Sequence, residues 1–164
     1  MMKKLLFLMM MLMGVINTSA QEKKEIQKND SLQYKFEKLQ HDYDFLSCEY
    51  KLNKIILELN IYINNIKISV NTLSMNLYHG DYDEKIYRMN KELYESCKKN
   101  LEEKEKLTYW TKWNVKQIME KANFYEMEIN VLESNMNLLD STLITAKKSL
   151  EYYKGVLDFY RDYR

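Results

Sequence analysis

Fourteen apolar residues stand at unbroken three- and four-residue spacing: Val115, Ile118, Ala122, Tyr125, Ile129, Leu132, Met136, Leu139, Leu143, Ala146, Leu150, Tyr153, Leu157 and Tyr160. At an apolar content near 42% over residues 21–164, chance produces such a run with a probability of roughly 10⁻⁵. A 3.5-residue period of this length describes a helix that lays one continuous seam against another helix, with left-handed supercoiling. The register extends back through Leu101, Cys97, Tyr94 and Tyr87, and is interrupted at Asn90, Lys104, Thr108 and Thr111.

Little in the chain can break such a helix. Among 164 residues there is no proline, and Gly80 and Gly155 are the only glycines beyond position 20. Sandwiches, barrels and doubly wound α/β folds require frequent Gly/Pro turns, so these are excluded. A glycine-rich phosphate loop is likewise ruled out. With 25 basic and 24 acidic side chains the net charge is +1, which gives no electrostatic basis for nucleic-acid binding. The expected fold class is all-α, a long antiparallel helical hairpin or coiled coil.

Residues 1–20 read as an export signal. Lys3 and Lys4 precede an apolar run over 5–16, and Thr18 and Ala20 supply the small residues of a cleavage site after Ala20. The run is too short for the ~18–20 residues that span a bilayer. The short charged start and the Ala-Gln junction resemble export signals of Gram-negative bacteria. Their removal leaves 144 residues with a net charge of −1 and no integral membrane span. The expected location is therefore the periplasm or the exterior.

The polar stretch 21–30 reads as a flexible leader before a helical domain over 31–164. Helix 1 is expected over about 31–78, carrying Leu32, Phe36, Leu39, Tyr43, Leu46 and Tyr50. The spacing then slips and restarts at Leu52, Ile56, Leu59, Ile63, Ile66, Val70, Leu73 and Leu77. Alternation around Asn64-Asn65 offers a β-hairpin over 57–70 as the rival. The unbroken helical period favours helix there, buried on two faces. Gly80 predicts a left-handed helix end and a turn over 79–81, with Asp81 and Glu84 forming a capping box for helix 2 over about 82–163.

Placing the turn at Gly80 sets the slip of helix 1 opposite residues 107–113. Tyr109, Trp110 and Trp113 are expected to fill that gap beside Phe45, Leu46 and Tyr50; their other reading is an aromatic binding patch. The same arithmetic leaves residues 130–164 without a partner in helix 1. Leu132, Leu139, Leu150, Leu157 and Tyr160 therefore predict an interaction seam for a second copy or another helical envelope protein. The alternative is a fold-back near 135–141 and a three-helix bundle with a short last helix. Tyr152, Phe159 and Tyr163 lie off the seam and are also available to a partner.

Cys48 and Cys97 lie about 20 Å apart along the hairpin, too far for a disulfide. They are expected as buried free thiols, with interchain bridges second. His41 and His79 form no metal cluster, and no nucleophile–base spacing exists. No catalytic, cofactor or metal site is expected. The functional expectation is an exported coiled-coil adaptor or subunit of an envelope, secretion or conjugation assembly. The signal, length and helical arms are broadly similar to the OmpH-type periplasmic holdases, which implies client binding as an alternative. Those proteins begin with a β-strand and are markedly basic, and this chain is neither. A membrane-active protein inserting residues 55–70 ranks last.

Overall fold

The computed structural model describes residues 2–80 and 83–162, with side chains from Asp30 onward. It contains three helices: α1 (Met2–Tyr78), α2 (Glu84–Met119) and α3 (Glu126–Asp162). No strand occurs among the described residues, and 57–70 lies wholly within α1. The stretch 21–30, expected as a flexible leader, is helical backbone of α1 as well. The chain divides into two compact units, Met1–Tyr43 and Asp44–Arg164, and α1 contributes to both.

In the first unit almost every described side chain is exposed. Gln33 Nε2 donates to Glu37 Oε1 one turn ahead at 3.0 Å, and His41 Nδ1 lies 3.5 Å from Asp42 Oδ1.

The second unit is an up-down-up three-helix bundle. Its first turn follows from local chemistry. The Gly80 N–H donates to the Leu77 carbonyl at 3.0 Å, and Gly80 takes φ +74°, a conformation that penalises any Cβ. Asp83 then caps α2, its Oδ1 accepting from the Lys85 and Ile86 N–H groups at 2.7 and 3.4 Å. The cap is thus Asp83, with Glu84 as the first helical residue; Asp81, expected in that role, lies outside the described residues.

The continuous helix expected over 82–163 is broken at residues 120–125, and the chain runs straight through 135–141, where a fold-back was the alternative. Asn123 provides the break. It adopts φ +47° in the left-handed region, which asparagine enters more readily than other side chains. The Glu128 carboxylate accepts the Tyr125 N–H at 2.9 Å, half of a capping box that starts α3. The last helix is therefore 37 residues long rather than short, antiparallel to α2 and parallel to α1.

Its stripe packs inside the chain. Leu132, Leu139, Tyr153 and Tyr160 are fully buried against Cys48, Leu52, Leu59, Ile66 and Leu73 of α1 and Leu101 and Val115 of α2. Two of the positions that interrupt the α2 register have polar partners in the neighbouring helices. Asn90 accepts the Tyr153 hydroxyl at its side-chain oxygen (2.9 Å), and Lys104 pairs with Glu58 of α1. Thr108 and Thr111 are buried as near-isosteres of valine. Tyr62 of α1 donates to the Cys97 carbonyl at 3.2 Å, and the Tyr160 hydroxyl accepts the Asp83 N–H at 3.0 Å. Lys112–Asp140 and Glu105–Lys147 pairs fix the register of α2 on α3.

Two consequences are measurable. Asn123→Ile is expected to lower stability by about 1–2 kcal/mol in urea unfolding, because a β-branched residue resists φ > 0; Asn123→Gly is expected to be neutral or stabilising. Burial raises the Tyr153 hydroxyl to about 12, so the folded bundle holds that proton more tightly than the unfolded chain does. The contribution is complete below the ordinary tyrosine value of about 10 and is lost as pH rises toward 12. Helicity followed by circular dichroism is expected to fall across that window, and Tyr153→Phe to flatten this part of the profile.

Candidate functional site

The five residues expected to form an intermolecular seam, Leu132, Leu139, Leu150, Leu157 and Tyr160, are all buried in the bundle's own core. That expectation followed from treating 82–163 as one helix. With the turn at Asn123, α1 and α2 cover the stripe. The surfaces left open lie elsewhere.

The first is on α2. Tyr109, Trp110 and Trp113 do not fill a gap in the core: each is about half exposed or more. The gap beside Phe45 is closed by Phe124, a residue of the second connection, whose ring meets Phe45 edge-on at 6.0 Å and 80°. Leu46 and Tyr50 are exposed. The three α2 rings instead stack edge to face, at 5.6 Å for Tyr109–Trp110 and 6.0 Å for Trp110–Trp113. Tyr109 and Trp113 flank a groove of about 350 Å³ between α2 and α3, with the Lys112–Asp140 pair on its wall. Thr108 lines the same groove, and its buried hydroxyl has no hydrogen-bond partner.

The second surface is the outer face of α1. The apparent slip between Leu46 and Leu52 is a hand-over between two stripes on opposite faces. The inner stripe begins at Cys48 and enters the core. In the second unit the outer stripe follows the 3.6-residue helical period through Leu46, Tyr50, Leu57, Ile61, Ile68 and Met75, all more than half exposed. In the first unit Leu32, Phe36, Leu39 and Tyr43 are likewise more than half exposed. The sequence expectation that this stretch is buried on two faces therefore holds for one face only. The signal was present in the strand-like alternation around Asn64, which is two helical stripes read at once.

The third surface lies between α1 and α3. Tyr152 and Phe159, one heptad apart on α3, are about two-thirds exposed. With Gly155 between them they border a groove of about 560 Å³ whose far wall includes Leu77. A neighbouring groove of about 340 Å³ shares Tyr152 and is bordered by Ile66, Lys67, Val70 and Lys148. Tyr163 lies outside the described residues.

The titratable groups offer no comparable focus. Cys48 and Cys97 are free thiols, and burial raises both above the ordinary thiol range, which suppresses thiolate chemistry. Cys48 is fully enclosed and so is not placed to bridge to another chain. Among the described residues, no cluster of His, Cys, Asp and Glu is arranged to hold a metal ion, and no helix is long and apolar enough to cross a membrane.

Comparison with protein-family models, with curated proteins and with solved structures finds no match to this chain. The surfaces themselves are therefore the basis for a functional reading.

Thr108→Val is expected to raise stability by about 1 kcal/mol, since it removes a buried hydroxyl with no partner and keeps the shape. Acrylamide is expected to quench the fluorescence of the folded chain nearly as efficiently as that of the unfolded one, because both Trp110 and Trp113 face outward.

Proposed function

We propose that this chain is an exported helical interaction protein, an adaptor or structural subunit of an envelope, secretion or conjugation assembly, in the periplasm or outside the cell. The observation that carries the reading is the outer stripe of α1. In the second unit alone, six large apolar side chains on one helix face, Leu46, Tyr50, Leu57, Ile61, Ile68 and Met75, exceed the few hundred Å² that monomeric proteins commonly leave open. Helical spacing with polar flanks is the pattern by which one helix docks on another. Export rests on residues 1–20, read as a signal cleaved after Ala20. The reading assigns no catalysis and no cofactor, because the sequence brings no nucleophile and base into a recognisable spacing.

A lipid surface fits the stripe less well. Interfacial helices are rich in Lys and Arg on the polar face, whereas the flanks here mix Glu49, Lys51 and Glu58. Residues 55–70, the segment that would have to insert, supply Ile55, Ile56, Leu59, Ile63, Ile66 and Val70 to the core. A holdase-type chaperone is the second reading, favoured by the open apolar grooves beside Tyr152.

The test combines export with capture. The chain recovered from the periplasm or medium is expected to begin at Gln21 by mass spectrometry. Used as bait, it is expected to retain specific envelope proteins that the Leu57→Glu/Ile68→Glu double variant loses at an unchanged melting temperature. A chain that stays in the cytoplasm with its first 20 residues, or a variant that captures the same set, sinks the proposal. Suppression of the aggregation of unfolded outer-membrane proteins would move the reading to the holdase.

A further inference from the structure

The outer face of α1 in the second unit differs from the exposed face of α2 in what it leaves out. Between Asp44 and Tyr78 the charged side chains in exposed positions are Lys51, Lys54 and Lys67 alone, whereas more than half of the exposed residues of α2 are charged. From Leu57 onward the face keeps strict four- and three-residue spacing through Ile61, Asn64, Ile68, Asn71, Met75 and Tyr78, seven exposed positions without a charge. A solvated helix face has no reason to exclude charge. Depletion of charged side chains, with Tyr and Met enriched, marks the core of a protein interface.

The residues on this face also say what can cover it. In heptad terms Ile61, Ile68 and Met75 fall at a, and Leu57, Asn64, Asn71 and Tyr78 at d. Branched residues at a suit a parallel pair of helices. In such a pair of identical chains each seam residue meets its own equivalent, so a charge there would face the same charge. Asparagine is the polar side chain that both donates to and accepts from its own kind. The seam carries asparagine twice and charge not at all. An antiparallel pair sets a against d and would leave both amides facing Ile or Met. The flanks agree with the parallel register: Asn60 of one copy faces Asn65 of the other, Lys67 faces Thr72, and Ser74 faces His79, so no like charges are opposed. At 1.5 Å per residue the seam is about 32 Å long. Weighted by exposure, its seven side chains offer on the order of 800 Å² per copy, one side of a standard interface.

We infer that the outer face of α1 pairs, parallel and in register, with the same face of a second copy along the seam from Leu57 to Tyr78. This rests on the interaction reading above and names the first partner of the stripe as another molecule of the same chain. The contact is isologous, one patch used by both copies, so it closes at two chains and does not propagate. Every residue it uses lies in the second unit. Asn64 and Asn71 set the register, because sliding by one position of the seam would place each amide against an apolar side chain.

Light scattering on the purified chain is expected to give the mass of two chains. Ile61→Glu/Ile68→Glu, which opposes like charges at two levels of the seam, is expected to give the mass of one. Its helicity is expected to be unchanged, because both side chains are more than half exposed in the single chain. Wild type is expected to melt higher as its concentration rises and to meet the variant on dilution. Orientation is read by oxidation: Asn64→Cys is expected to cross-link to a second copy of itself, and Asn114→Cys, at an exposed position of α2, is not. Three outcomes overturn the inference: a monomeric wild type, a charged variant with unchanged mass, or an Asn64→Cys chain that cross-links no faster than Asn114→Cys. A monomeric wild type that still captures envelope proteins in the stripe-dependent way removes only the self-pairing and leaves the interaction reading intact. A two-chain species that captures no envelope protein does the reverse.

Discussion

The architecture depends on one backbone conformation. With Asn123 in the left-handed region, α2 stops, α3 turns back, and the most regular apolar stripe of the sequence is buried against its own chain. Were Asn123 helical, the same stripe would extend into solvent and demand another molecule. The Glu128 carboxylate on the Tyr125 N–H adds little energy beside core burial, of order 1 kcal/mol for a cap. Its importance is directional, since it decides where several large side chains are placed.

The second determinant is the polar character of α2. A bundle held only by leucines tolerates sliding by a heptad. Here Asn90 holds the Tyr153 hydroxyl, Lys104 meets Glu58, and Lys112 and Glu105 meet Asp140 and Lys147. Each pair has one geometry in which both members are satisfied, and a shifted register would strand partly buried groups. Two of the interruptions in the apolar pattern of α2, Asn90 and Lys104, are thus among the points that set its alignment with α3 and α1.

The helical class, the first turn at Gly80 and the identity of the α3 stripe were legible because each has a direct local cause: missing breakers, a residue without Cβ, a sustained period. The second turn was not. Asn123 does a glycine's work without a glycine's signature, and Ala122, Tyr125 and Ile129 keep the stripe in step across the break although Tyr125 faces solvent. Periodicity records spacing along the chain and is blind to a reversal that preserves phase. The candidate surfaces were half legible. The rings at Tyr109, Trp110 and Trp113 were visible, but not whether they point inward, because Phe124 was not foreseen as the residue that closes the gap. The outer stripe of α1 was visible only as a slip, since two faces on one helix produce overlapping periods.

One topological fact has a mechanical corollary. Turns join α1 to α2 at Gly80 and α2 to α3 at Asn123, while α1 and α3 lie side by side with no connection of their own. The bundle is built like a book whose spine is α2. Its free edge is held by core packing rather than by a connecting turn, and the grooves beside Gly155 run along that edge. The two helices that share no turn are thus tied to their common spine by side-chain bonds, α3 through Tyr153 to Asn90 and α1 through Tyr62 to the Cys97 carbonyl.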